Sequence, residues 1–152
     1  MDAKEEGGWE KGAACGIALY KAGDYGGAVV EFGLALAAAG EGAAPSAATL
    51  SALYSNRAAA LVMLKRFEEA REECDRGLVQ DPGNAKLLIR KSKCALACDD
   101  AEGALAALGA VLEADPTNAA ALNLIHTTRL RHSVPRAMAA YAAVPQAEAG
   151  PR

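Results

Sequence analysis

Apolar positions recur along this chain with a helical period, and the pattern is cut at intervals by glycine, proline and aspartate. From Trp9 to about Ala22, Cys15, Ile17, Leu19 and Tyr20 can line one side of a helix. Gly23-Asp24-Tyr25 breaks it, and Val29, Phe32 and Leu36 resume the period from Ala28 to Ala39. Gly40-Glu41-Gly42 and Pro45-Ser46 read as a loop, with Ser46 placed to cap a helix running to about Leu64. A turn at Lys65-Arg66 leads into a helix over Phe67 to Gln80, which Asp81-Pro82-Gly83-Asn84 stops. Proline cannot continue a helix and biases the residue before it away from α geometry. The pair returns over Ala85 to Ala97 and Ala101 to Ala114, with Asp115-Pro116-Thr117-Asn118 as the second stop. Ala119 to His132 continues the pattern through Leu122, Ile125 and Leu130, and Val134-Pro135 predicts its end.

The stops keep a register. Asp81, Pro82 and Asn84 recur as Asp115, Pro116 and Asn118, each 34 residues on, and Ala70 and Leu78 recur as Ala104 and Leu112. The first unit obeys the pattern at a spacing of 42, with Gly16 matching Ala58, Leu19 Leu61, Ala28 Ala70 and Leu36 Leu78. Since 42 − 34 = 8, eight residues are inserted near Gly42 to Leu50. The predicted fold class is all-α: a solenoid of helix-turn-helix units at about 9–42, 51–84 and 85–118, then a capping helix over 119–134. Residues 1–8 are expected to be a disordered lead-in. The Ala/Pro-rich tail, 135–152, is expected to be mostly disordered beyond a short helix near Met138 to Ala142, or else to fold back into the groove.

Composition narrows the class further. The 152 residues fit one domain, and they are 52% hydrophobic but only 5% aromatic, with alanine abundant. Small apolar residues favour close helix packing over a sheet. A net charge of −3 leaves no basic footprint for nucleic acid. Cys15, Cys74, Cys94 and Cys98 show no metal spacing and read as reduced, half-buried small hydrophobes. The start, MDAKEEGGWEK, does not read as a signal peptide, and there is no apolar run of membrane-spanning length, so a cytoplasmic setting is expected.

One constellation suggests a binding site. Asn56 and Arg90 stand 34 residues apart, hence in the same slot of successive units, with Lys86 one turn before Arg90 and Lys93 further along that face. The helix starting at Ala85 carries Lys86, Arg90, Lys91 and Lys93 and no acid, whereas Glu68, Glu69, Glu72, Glu73 and Asp75 load the helix before it. Arginine offers a planar fork for two oxygens, lysine a mobile point charge, and asparagine both a donor and an acceptor, a set suited to a peptide carboxylate and its backbone. Arg57 reads as structural, its stem packing between helices. Tyr25, Phe32, Tyr54 and Phe67 sit at core spacing. His126 and His132 lack partners for a metal or catalytic role, and no nucleophile, phosphate-loop or cofactor motif is present.

A 34-residue helix-turn-helix with small residues at fixed positions and a closing proline resembles the tetratricopeptide repeat. Gly16, Leu19, Gly23, Tyr25, Ala28 and Phe32 carry the likeness in unit one. Ala58, Leu61, Phe67, Ala70, Gly77 and Pro82 carry it in unit two, and Ala104, Leu108 and Pro116 in unit three. The resemblance implies a right-handed superhelix. YSNRAA followed by KLLIRKSKCA is similar to the repeat domains of co-chaperones that grip acidic C-terminal tails, ending Glu-Glu-Val-Asp, of cytosolic heat-shock chaperones. With the long first connection, the likeness extends to adaptors of mitochondrial precursor delivery and cilia-related assembly. It implies a non-enzymatic adaptor without cofactor or metal, whose peptide-binding residues are Asn56, Lys86, Arg90 and Lys93. Two clamp positions expected in the first helix are Ala13 and Ile17 here, with Lys21 near the groove mouth. A scaffold using other surfaces, with a vestigial clamp, and a regulatory module for an enzyme on another chain are the alternative readings.

Overall fold

The computed structural model describes residues 8–41 and 44–142, with side chains through residue 133. It holds seven helices and, among the described residues, no strand. These are α1 Gly8–Lys21, α2 Tyr25–Ala38, α3 Ala47–Met63, α4 Phe67–Gln80, α5 Ala85–Ala97, α6 Ala101–Ala114 and α7 Ala119–Ala142. The lead-in 1–7, the tail 143–152 and residues 42–43 of the expected insertion lie outside the described residues.

The repeat is visible in the turns. Gly23, Lys65 and Asp99 adopt φ of 85°, 58° and 60°, and they occupy the same place in the three helix pairs. The residue after each donates its amide to a carbonyl five residues back: Asp24 to Leu19 at 2.9 Å, Arg66 to Leu61 at 2.9 Å, Asp100 to Ala95 at 2.8 Å. A left-handed residue closing a helix in this way satisfies its last carbonyls and reverses the chain tightly. Asp24 and Asp100 then cap the second helices, accepting from Gly27 and Gly103 amides at 2.8 Å each. The Asp24 cap starts α2 at Tyr25, three residues earlier than the periodicity predicts, because a satisfied first turn carries Gly26 and Gly27 into the helix. Between units, Asn84 and Asn118 cap α5 and α7, each accepting an amide at 3.1 Å.

Each helix packs on the next, and α1 also meets α3, α3 meets α5, and α5 meets α7. Among the described residues no two even-numbered helices pack backbone against backbone, although Arg71 of α4 reaches the Asp100 cap of α6 at 2.8 Å. The odd helices therefore converge on an inner wall while the even ones splay on the outer side, which curves the stack. Close approach relies on small residues: a Cβ on Gly16 would lie 2.7 Å from the buried Phe32 ring, and one on Gly77 2.7 Å from Leu87. Phe32, Leu53, Leu61, Cys74 and Leu87 build a core continuous from α2 to α5, and Leu88, Leu108, Val111 and Ala121 continue it to α7. Apolar burial across unit boundaries makes each pair depend on its neighbour.

Arg57 is structural, as its sequence position suggests. Its Nε donates to the Val29 carbonyl at 3.3 Å and its Nη1 to Glu73 Oε1 at 3.1 Å, tying α2, α3 and α4 together. Glu73, only 3% exposed, also accepts from Arg76 at 2.6 Å.

Two expectations are corrected. The helix predicted to stop at Val134-Pro135 continues to Ala142 and absorbs the separate short helix expected there. Pro135 deprives the Arg131 carbonyl of its helical donor, but Arg131 is exposed and water can satisfy that carbonyl. The cysteines are free but not uniformly half-buried: Cys15 is exposed, Cys74 and Cys94 are buried, and only Cys98 is intermediate.

Candidate peptide-binding groove

The inner wall formed by α1, α3 and α5 holds two adjoining cavities. The smaller, about 230 Å³, is lined by Asn56 from α3, Lys86 and Arg90 from α5, and Ile17 and Lys21 from α1, with Phe32 beneath. Three of the four residues singled out by sequence thus surround one cavity. The fourth, Lys93, lines the larger cavity of about 540 Å³, where Lys86 and Arg90 also reach. Val62, Met63, Phe67 and Ile89 give that second space an apolar lining.

The 34-residue offset puts Asn56 and Arg90 in equivalent slots, and the contact between α3 and α5 turns those slots into neighbours. Asn56 is half-buried and makes no side-chain hydrogen bond to another described residue, so its amide is available to a ligand. Arg90 is held from behind: Nη1 donates to the Ser55 carbonyl at 2.9 Å and to Ser55 Oγ at 2.6 Å. That fixes the guanidinium plane and leaves its other donors for the cavity. Ser55, only 4% exposed, escaped the sequence reading because a serine on a helix registers as a neutral surface residue.

Charge completes the picture. Among the described residues, Lys21, Lys86, Arg90 and Lys93 form no ion pair, and no carboxylate lines either cavity. Unneutralised cations gathered along a concave wall attract an anion more strongly than the same cations spread over an open face; here Lys21, Lys86 and Lys93 are exposed and Arg90 is half-buried. Lys91 is different. It pairs with Asp75 of α4 at 2.6 Å, so one member of the basic run ties two helices together instead of facing the groove.

The first-helix positions also separate. Ala13 packs against the core, whereas Ile17 is 41% exposed and forms cavity wall. Lys21, one turn beyond Ile17, brings a cation to that wall. Cys94 borders the larger cavity, and burial pushes its thiol up to about 11 despite the opposing Arg90 charge, so it is a protonated wall residue and not a nucleophile.

Residues 61–126 match the family model for the tetratricopeptide repeat. The mouse FK506-binding protein-like protein is 36% identical over 106 residues, covering 70% of this chain and 30% of that protein. The chain spans less than a third of the length of the curated relatives it matches. Among solved structures, the Hsp90 co-chaperone Cns1 of Saccharomyces cerevisiae superposes with a TM-score of 0.78 at 26% identity, over 88% of this chain and 42% of Cns1. The TPR2B domain of yeast Sti1, solved in complex with pHsp70, gives a TM-score of 0.68 at 26% identity, over 81% of this chain and 97% of that domain. No helix among the described residues is long and apolar enough to cross a membrane. The three matched turns, the convergence of the odd helices and the family match over 61–126 give this chain tetratricopeptide repeats and the tetratricopeptide-repeat fold, similar to the repeat domains of Cns1 and Sti1.

Proposed function

We propose that the chain is a non-enzymatic adaptor that binds the acidic C-terminal tail of a cytosolic heat-shock chaperone along its inner wall. Asn56, Lys86 and Arg90 take the terminal carboxylate and the last backbone groups. Lys93 draws in the acidic residues that precede them. The observation that carries this reading is the gathering of Lys86, Arg90 and Asn56 around one cavity with no carboxylate in its lining. Capture of a chain end by such a set is a recurring recognition mode, and the Sti1 domain that shares this fold holds pHsp70. A cytoplasmic location goes with such a partner.

Isothermal titration with a chaperone-tail peptide ending Glu-Glu-Val-Asp, beside its C-terminally amidated form, tests the proposal. Binding is expected to be weak, to fall with salt and to disappear on amidation. Arg90→Ala is expected to remove most of the signal, since each charge-assisted hydrogen bond is worth roughly 1.5–3 kcal/mol. Equal binding by the Arg90→Ala protein would falsify the assignment.

A further inference from the structure

Three helices enclose the smaller cavity, and α1 supplies Ile17, Tyr20 and Lys21 to its lining. Ile17 has no side-chain donor, and Ala13, one turn before it, packs against the core. Lys21 is the one cation that α1 brings to this lining. Resting on the reading that this groove takes an acidic chain end, we infer that Lys21 is a further binding residue. It is the first unit's cation in a site whose other cations, Lys86 and Arg90, come from the third unit.

The side chain of Lys21 has no other employment. It is exposed, and among the described residues it forms no ion pair. No carboxylate in the lining neutralises it. An ammonium on a flexible stem acts as a mobile point charge, so it needs an anion within reach and not one orientation of it. The placement of the cations adds a second consequence. α1 and α5 do not pack on each other, because α3 lies between them. An anion in the cavity is therefore drawn from both sides, by Lys21 of α1 and by Lys86 and Arg90 of α5. It ties the first unit to the third across the inner wall, a link the helices do not make themselves.

Titration of a peptide ending Glu-Glu-Val-Asp into Lys21→Gln and Lys11→Gln proteins tests the inference. Each variant removes one positive charge from α1. Lys11, however, is exposed, lines neither cavity and lies about 15 Å back along the helix, beyond the screening length of about 10 Å at 0.1 M salt. Lys21→Gln is expected to weaken binding about threefold at low salt, the scale of an exposed ion pair, with the loss shrinking as salt is raised. Lys21→Arg should keep the wild-type affinity, Lys11→Gln should change it little, and all three variants should keep the wild-type thermal midpoint. Wild-type affinity in Lys21→Gln, an equal loss in both glutamine variants, or a loss accompanied by a fallen midpoint overturns this inference and leaves the adaptor reading standing. Failure of the wild type to bind the free-acid peptide, or binding undiminished by amidation, brings down the adaptor reading and this inference with it.

Discussion

Arg90 of α5 is anchored to Ser55 of α3 through a single nitrogen, Nη1, which donates to the serine carbonyl at 2.9 Å and to its hydroxyl at 2.6 Å. The contact crosses the unit boundary, so the guanidinium that faces the cavity takes its orientation from the preceding unit. A long side chain fixed before a ligand arrives has less rotamer freedom to lose on binding. Ser55→Ala keeps the charge and removes one of the two acceptors. It is expected to weaken binding of an acidic C-terminal peptide about fivefold, the equivalent of one net hydrogen bond of ~1 kcal/mol, while leaving the thermal midpoint nearly unchanged. Calorimetric titration beside thermal unfolding separates the two effects, and a large fall in midpoint with unchanged affinity would show Ser55 to be purely structural.

The three intra-unit turns use the same left-handed position, but only the first fills it with glycine: Gly23, then Lys65, then Asp99. A lysine at φ 58° carries a steric cost of roughly 1–2 kcal/mol that glycine avoids. Lys65 is exposed, so its replacement disturbs no packing. Lys65→Gly is expected to raise stability by about 0.5–1 kcal/mol after the greater unfolded-state entropy of glycine is deducted. Urea unfolding measures it through a higher midpoint at unchanged slope.

Much of the array was legible in the chain because its boundaries are chemical. Aspartate, proline and asparagine at 81–84 and again at 115–118 mark stops that packing does not override, and α4 ends, α5 begins, α6 ends and α7 begins where those residues predict. The start of α2 was hidden, since Gly26-Gly27 reads as a break unless the Asp24 cap is recognised. In the site, a period of 34 locates Asn56, Lys86 and Arg90, but only the packed helices reveal which neighbours face them. Lys91 follows Arg90 by one residue, about 100° further around the helix, and that rotation delivers it to Asp75 instead of the groove. Ser55 was illegible for a related reason: its importance lies in what it accepts, and a sequence names donors and acceptors without pairing them.

Gly16 tests whether the small residues are a packing requirement. A methyl group there would stand 2.7 and 2.8 Å from two carbons of the Phe32 ring, itself 1% exposed with nowhere to retreat. Alanine gains up to about 1 kcal/mol in helix propensity, while overpacking costs about 1–3 kcal/mol. Overpacking wins, and Gly16→Ala is expected to destabilise the fold by about 1 kcal/mol. The shifted ring would also disturb the floor of the smaller cavity, so peptide affinity should fall in the same variant. A midpoint at or above the wild-type value would mean that α1 and α2 pack with more slack than the coordinates show.

The buried thiols make stability depend on alkaline pH. Desolvation, with a smaller contribution from neighbouring Cys94, pushes Cys74 up to about 12, and desolvation pushes Cys94 up to about 11, from an ordinary value of 9.0. Folded chains therefore keep protons that unfolded chains release once the pH passes about 9, and the unfolded state is favoured progressively from there toward 11 to 12. Below that window the two thiols contribute no pH dependence. The thermal midpoint of the wild type should fall more steeply above about pH 9 than that of the Cys74→Ala, Cys94→Ala double variant, the comparison cancelling the tyrosines and lysines common to both. Alkylation reports the same burial: near neutral pH, iodoacetamide should modify exposed Cys15 first and half-buried Cys98 more slowly, with Cys74 and Cys94 reacting only on unfolding. Labelling of Cys94 in the folded protein at the rate of Cys15 would show that the larger cavity opens to the core, contrary to the 1% exposure of that side chain.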